Sequence, residues 1–94
     1  MIYRPDLIVK LHNGATLSYS GRLAWALQLL IQMGERGVTP IDTPGPRWSA
    51  YIHDLRRDGL NIETLNEPHG GPFPGHHARY ILRSPLQIVT DKAA

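Results

Sequence analysis

The 94-residue sequence predicts a single α+β domain, in which an N-terminal β-hairpin leads into two helices joined by a short turn and a second hairpin follows them. Three observations predict it. Asn13-Gly14 separates two short β-rich runs; apolar residues recur at helical spacing over 20–33 and again over 46–58; and alternating residues flank a Gly/Pro/His stretch at 66–77. A chain this short buries only roughly 60–65% of the surface it exposes when unfolded, so its stability margin is thin.

Leu7-Ile-Val-Lys-Leu-His12 meets Asn13-Gly14, the dipeptide that supplies the two positive-φ residues of a type I′ turn, and Ala15 to Ser18 returns as a second strand. Ser20 then stands where an N-cap belongs, before a helix that runs through Met33 and stops near Gly34 or Gly37. Leu23, Leu27, Leu30 and Ile31 form one apolar stripe of that helix, while Trp25, Ala26, Leu29 and Met33 spread onto a second face. Such a helix needs cover on more than one side, from the hairpin or from another copy of the chain. On the second alternative the protein is a homodimer with Trp25 and Leu29 at its seam.

Thr39-Pro40 can cap and start one helical turn, and nothing helical should run through Thr43 or Gly45, which precede prolines. Pro46 suits the first position of a further helix, Pro46 to Asp58, ended by a left-handed Gly59. Leu60 to Leu65 alternates imperfectly as a strand. Asn66 to His77 is too rich in glycine and proline to form a ladder and reads as a mobile loop, with Phe73 packed on the domain or contacting a partner. Ala78 to Arg83 is the returning strand, Leu86 to Val89 adds a short third one, and Asp91 to Ala94 is a frayed tail.

Composition narrows the function. Cysteine is absent, so neither a disulfide framework nor a thiolate metal site exists, as suits a reducing cytoplasm. Asp6 and Lys10 interrupt the N-terminal apolar stretch, which makes it a poor signal peptide, and Leu23 to Leu27 is far too short to span a membrane. A soluble cytoplasmic domain is expected. Net charge is +2, with a pI of 9.3. The excess lies in residues 1–37, where Arg4, Lys10, Arg22 and Arg36 face two acids; residues 38–94 hold six bases and six acids. Duplex binders concentrate positive charge on one face, so here the placement of charges matters more than their sum.

Catalytic constellations are missing: no serine lies in a nucleophile elbow, the carboxylates are scattered, and His53 and Asp54 point to different sides of a helix. No catalytic residue and no cofactor is expected. Four histidines, His53, His69, His76 and His77, fall in no familiar zinc spacing, so no metal is expected either.

Ile52-His-Asp-Leu-Arg-Arg-Asp-Gly-Leu-Asn-Ile-Glu63 followed by Ala78-Arg-Tyr-Ile-Leu82 resembles the pattern of small bacterial and phage winged helix-turn-helix proteins. It is also similar to the DNA-binding domain of biotin-operon repressors. The resemblance covers roughly residues 38–83. It implies a winged helix over 1–94, with a hairpin at 6–18, a helix-turn-helix at 20–59, a wing at 60–83, and a strand and tail at 84–94. Pro40, Pro44 and Pro46 leave room for about one turn where this pattern carries a first helix of two or more.

The resemblance also implies a role for the helix from Pro46. Trp48, Tyr51, Ile52 and Leu55 share one face at core spacing, which turns Ala50, His53 and Arg57, flanked by Arg47 and Ser49, toward solvent. In helix-turn-helix proteins that face meets base edges in double-stranded DNA. Arg47 or Arg57 fits guanine N7 and O6, and Ala50 a thymine methyl. His76, His77 and Arg79 of the wing would add groove or backbone contacts. Asp54 and Asp58 oppose phosphate, and Asp54 is placed to pair with Arg57 or to be held in check by Arg47. The alternative is a winged helix that serves as a protein–protein module, through the wing or the first helix, without DNA.

Overall fold

A computed structural model describes residues 6–43 and 47–91. Strands β1 (Leu7–Leu11) and β2 (Thr16–Tyr19) form the N-terminal antiparallel hairpin, paired from Leu7↔Tyr19 to Lys10↔Thr16. Its turn differs from the type I′ expectation. Only Gly14 has positive φ, at 91°; Asn13 keeps an ordinary φ, and its carboxamide oxygen accepts from Ala15 N at 2.9 Å. Gly14 N bonds to Leu11 O at 2.9 Å and Leu11 N to Ala15 O at 2.8 Å, a three-residue loop that closes on a left-handed glycine.

Helix α1 (Gly21–Met33) follows, with Ser20 at the N-cap position. The capping bond comes from elsewhere: Asp6 Oδ2 accepts from Gly21 N at 2.8 Å, tying the start of the helix to the entry of β1. Ala24, Ala26, Leu27 and Leu30 are buried, as is Gln28. Two contacts tie α1 to its neighbours. Gln28 Nε2 donates to both oxygens of Asp91 at 3.0 and 3.1 Å, holding the helix to strand β5 (Leu86–Asp91). One turn earlier, the Trp25 ring lies 5.4 Å from that of Trp48 in the next helix. Strand β5 pairs along the free edge of β1, giving a sheet in the order β2-β1-β5, with a bulge opposite Ile8 and Val9. The third strand therefore joins the N-terminal hairpin and not the wing. Leu7 and Val9 are fully buried beneath it.

After α1 a 3₁₀ turn (Gly34–Arg36) leads to Gly37 and to Val38, which exchanges two backbone bonds with Tyr80 at 2.8 and 2.9 Å. Thr39 then caps a single helical turn, as its sequence predicts: its hydroxyl accepts from Asp42 N at 3.0 Å and its carbonyl from Thr43 N at 2.9 Å. The expected helix start at Pro46 falls outside the described residues. Helix α2 (Trp48–Arg57) begins with Arg47 at the N-cap, and the Trp48 indole donates to Thr43 O at 2.8 Å, fastening the turn to the helix. Gly59, at φ 101°, ends it, with Gly59 N bonded to Arg56 O and Leu60 N to Leu55 O, the paired bonds of a Schellman cap.

The wing corrects the loop expected at 66–77. Strands β3 (Ile62–His69) and β4 (Gly75–Leu82) pair without interruption from Ile62↔Leu82 to His69↔Gly75, leaving only Gly70–Pro74 as the connection. Pro68 is tolerated for a geometric reason. The backbone groups of Tyr80 point away from β3 toward Val38, so Thr64↔Tyr80 is a non-hydrogen-bonded pair. Pro68↔His76 lies four positions along, in the same phase, so the missing N–H of Pro68 faces outward and costs no ladder bond. At the base of the wing Ile62, Tyr80 and Ile81 are buried, and Leu82 packs against the core.

Candidate nucleic-acid interface

The outward face of α2 follows from its buried one. Trp48, Tyr51, Ile52 and Leu55 are all buried, with Trp48 and Tyr51 in edge-to-face contact at 6.1 Å. This anchors the helix and fixes its rotation about its own axis. Arg47, Ser49, His53 and Arg57 are consequently exposed, and Ala50 is half-buried between them. Arg57 meets Asp54 at 3.5 Å, the (i, i+3) pair foreseen, yet 68% of its side chain remains exposed. A pair so open to solvent is worth well under ~1 kcal/mol and exchanges readily for a phosphate or a base edge.

The remaining charges of the helix are committed. Arg56 donates to the outward-facing carbonyl of Ile62 through Nε (3.2 Å) and Nη2 (2.5 Å), and to the Thr64 hydroxyl at 2.7 Å. These bonds set the angle between α2 and the wing. Asp58 Oδ2 accepts from the Tyr19 hydroxyl at 2.9 Å, which draws this carboxylate toward the N-terminal hairpin. Burial, and then the hydrogen bond and the charge of Asp58, push the Tyr19 hydroxyl far above its ordinary range. Sequence patterning missed both roles, because each partner comes from a different element.

The wing candidates separate. His76 is exposed, on the face of the ribbon shared with Pro68. His77 and Arg79 lie on the other face and converge on Glu67: Arg79 Nε donates to Oε2 at 2.6 Å, and His77 Nε2 lies 3.1 Å from Oε1. Arg79 also donates to the Arg36 carbonyl. His69 stacks on His77 at 5.2 Å, with the two Nδ1 atoms 3.0 Å apart. The hydrogen bond from Arg79, strengthened by its charge and by His77, holds the Glu67 carboxyl below the usual range. Glu63 is likewise taken by Arg83, at 2.6 and 2.9 Å. The structure thus brings Arg47, Ser49, Ala50, His53 and Arg57 onto one helix face, sets His76 apart on the wing, and turns His77 and Arg79 into its internal bracing. At the tip, Phe73 is 87% exposed and does not pack on the domain.

Trp25 and Leu29, the proposed seam residues, are partly buried and pack against the core of their own chain. Arg22 lies over the Trp25 ring at 4.5 Å. Among the described residues no group of three or more His, Asp or Glu side chains is placed to hold a metal ion. No helix among them is long and apolar enough to cross a membrane.

The winged helix domain family matches residues 16–92, from β2 through β5, which leaves β1 outside the matched span. No curated protein and no solved structure matches the chain.

Proposed function

The chain belongs to the winged helix domain family, and on that premise we propose that it binds double-stranded DNA, with α2 entering the major groove. The observation that carries this is the state of the outer face of α2. Arg47, Ser49, His53 and Arg57 are all open to solvent, while Asp58 is held by Tyr19 and Asp54 is balanced by Arg57. The face therefore presents cations and hydrogen-bond donors of the kind that read guanine and hold phosphate. The single turn at Thr39–Thr43 plays the part of the first helix of the motif, with the Trp48–Thr43 bond as its anchor. We assign the protein the role of a small cytoplasmic transcriptional regulator of the bacterial or phage type. Within the wing, His76 is the contact we retain in first place. His77 and Arg79 would reach DNA only by leaving Glu67.

A salt titration of binding to random-sequence duplex DNA tests the reading. Replacing Arg47 or Arg57 with Ala should weaken binding by about 1–3 kcal/mol where a base is contacted, or reduce the salt slope by about 1 where a phosphate is. Unchanged affinity and slope in both variants would remove α2 as the reading face. One observation favours a second reading, as a protein-docking module: six bases and six acids cancel over residues 38–94. Under that reading the wild-type protein shows no salt-dependent DNA affinity at all. Self-association through the exposed parts of Trp25 and Leu29 would match a two-fold symmetric DNA site. A monomer in sedimentation at high micromolar concentration would refute that assembly.

A further inference from the structure

The outer part of the wing has a chemistry unlike its base. From Pro68 to Ala78 there are three histidines, His69, His76 and His77, no carboxylate, and one aromatic side chain, Phe73. Phe73 is the most exposed large hydrophobic residue among those described, at 87%. It occupies the tip of the Gly70–Pro74 connection, between Pro72 and Pro74. Both prolines fix their own φ, and Pro74 keeps Phe73 out of the helical region, while Gly71 turns the chain at φ 100°, so Phe73 has fewer open torsions than in a glycine-only loop. The ladder continues to His69↔Gly75, which sets the ring at the end of a two-stranded ribbon about 23 Å long.

Electrostatics allow this tip to approach a polyanion. Glu63 lies at the base of the wing and Glu67 two residues short of the outer end of β3, and each is paired with an arginine, Glu67 with Arg79 and Glu63 with Arg83. Beyond them the ribbon is neutral or, with its imidazoles protonated, positive. An apolar ring held out in water at the end of an arm that carries no carboxylate beyond Glu67 contributes nothing to the core. Its unmet requirement is an apolar surface to pack on, and the lack of carboxylates beside it permits one that is flanked by phosphates, such as a stacked base step.

We propose that Phe73 is a wedge that enters a base step of the bound duplex from the minor groove, partly unstacking it and bending the DNA. Two backbones ~4.8 Å apart, once their own atomic radii and side chains are added, are wider than a minor groove of about 6 Å, so a single ring can enter where the ribbon cannot. Side-chain wedges of this kind bend DNA by roughly 20–90° toward the major groove, most cheaply at flexible pyrimidine–purine steps. The proposal rests on the DNA-binding reading above and adds to it a residue that acts on DNA shape.

The test uses the full chain, circularly permuted duplex fragments to read bending, and relaxation of closed-circular DNA to read unwinding. Wild type should bend and unwind the duplex. Phe73→Ala should bind about fivefold to a hundredfold more weakly, with an unchanged salt slope because no phosphate contact is lost, and should leave the duplex straight. Phe73→Leu should retain the bend. Since the ring is bare, the urea midpoint of Phe73→Ala should equal that of wild type. If wild type binds without bending, or if the bend survives Phe73→Ala, the wedge is overturned while a loss of affinity in Arg57→Ala still upholds DNA binding. If wild type binds no DNA, both fall.

Discussion

Gly37 offers a sharp test of how the wing is seated. It leaves the 3₁₀ turn with φ 71° and ψ −175°, a region that only glycine occupies readily. A Cβ built there would stand 2.6 Å from the Tyr80 carbonyl oxygen, 2.8 Å from Ile81 Cγ1 and 3.0 Å from Arg79 Cγ. Two costs therefore add in Gly37→Ala. Backbone strain contributes ~1–3 kcal/mol, and forcing the carbon into packed backbone a further ~1–3 kcal/mol. The Tyr80 carbonyl cannot simply retreat, because it accepts from Val38 N at 2.8 Å. A total near 4 kcal/mol is a large share of the ~5–14 kcal/mol available to a domain of this size. Gly34→Ala is the internal control: its φ is also positive, at 53° with ψ −129°, but nothing lies within 4 Å of its added carbon, so it should cost only the strain, about 1–3 kcal/mol. Urea unfolding followed by tryptophan fluorescence reads the difference. With a slope of ~1 kcal/mol/M, the extra packing cost should make Gly37→Ala lower the midpoint by roughly 1–3 M more than Gly34→Ala. Equal midpoints would mean that β4 is not held against Gly37 as described.

Three further outcomes follow from the bonds around the interface. Tyr19→Phe should cost about 1–2 kcal/mol through loss of the bond to Asp58. Because the folded protein raises the pKa of Tyr19, the stabilisation is complete below about pH 10 and fades as pH rises toward the folded value, so thermal melts between pH 9 and 11 should fall more steeply for wild type than for Tyr19→Phe. Glu67 is the opposite case: its pKa is lowered, so its contribution is present above about pH 4.3 and lost as pH falls through the folded value. Glu67→Gln should flatten that acid limb, and an unaltered limb would mean that Arg79 and His77 do not hold the carboxylate in solution. Arg56→Ala should weaken DNA binding without any DNA contact of its own, since it frees the angle between α2 and β3; normal affinity with an intact fold would show that Ile62 and Thr64 need no such tie.

The parts of the fold legible in the sequence are those written in local spacing. The buried quartet Trp48, Tyr51, Ile52 and Leu55, the Gly59 cap and the single Thr39 turn each need only their own few residues, and each appears as read. The parts that escape depend on distant partners. Asp6, fifteen residues away, caps Gly21, and Asp91, sixty-three residues away, holds Gln28; neither carries a signature a local window detects. The wing failed for a different reason. Its glycines and prolines suggest a broken chain, yet a two-stranded ribbon has outward backbone phases that accept proline, and the phase is set by Val38, thirty residues upstream of Pro68.

Charge shows the same limit at the candidate site. Counting bases and acids over residues 38–94 gives zero and argues against a polyanion. Pairing changes what that zero means. Arg79 and Arg83 are absorbed by Glu67 and Glu63 within the wing, Arg56 by a carbonyl and a hydroxyl, Asp91 by Gln28 and Asp58 by Tyr19. On the outer face of α2 this leaves Arg47 and His53 without a side-chain partner among the described residues, beside an Arg57 that is loosely matched by Asp54. An approaching phosphate responds to the charges within about a Debye length, ~8 Å at physiological salt, and not to the sum over the chain. A neutral sequence can therefore fold into a locally cationic helix face, provided its acids are fastened elsewhere, and the Tyr19–Asp58 bond is the fastening that removing one hydroxyl undoes.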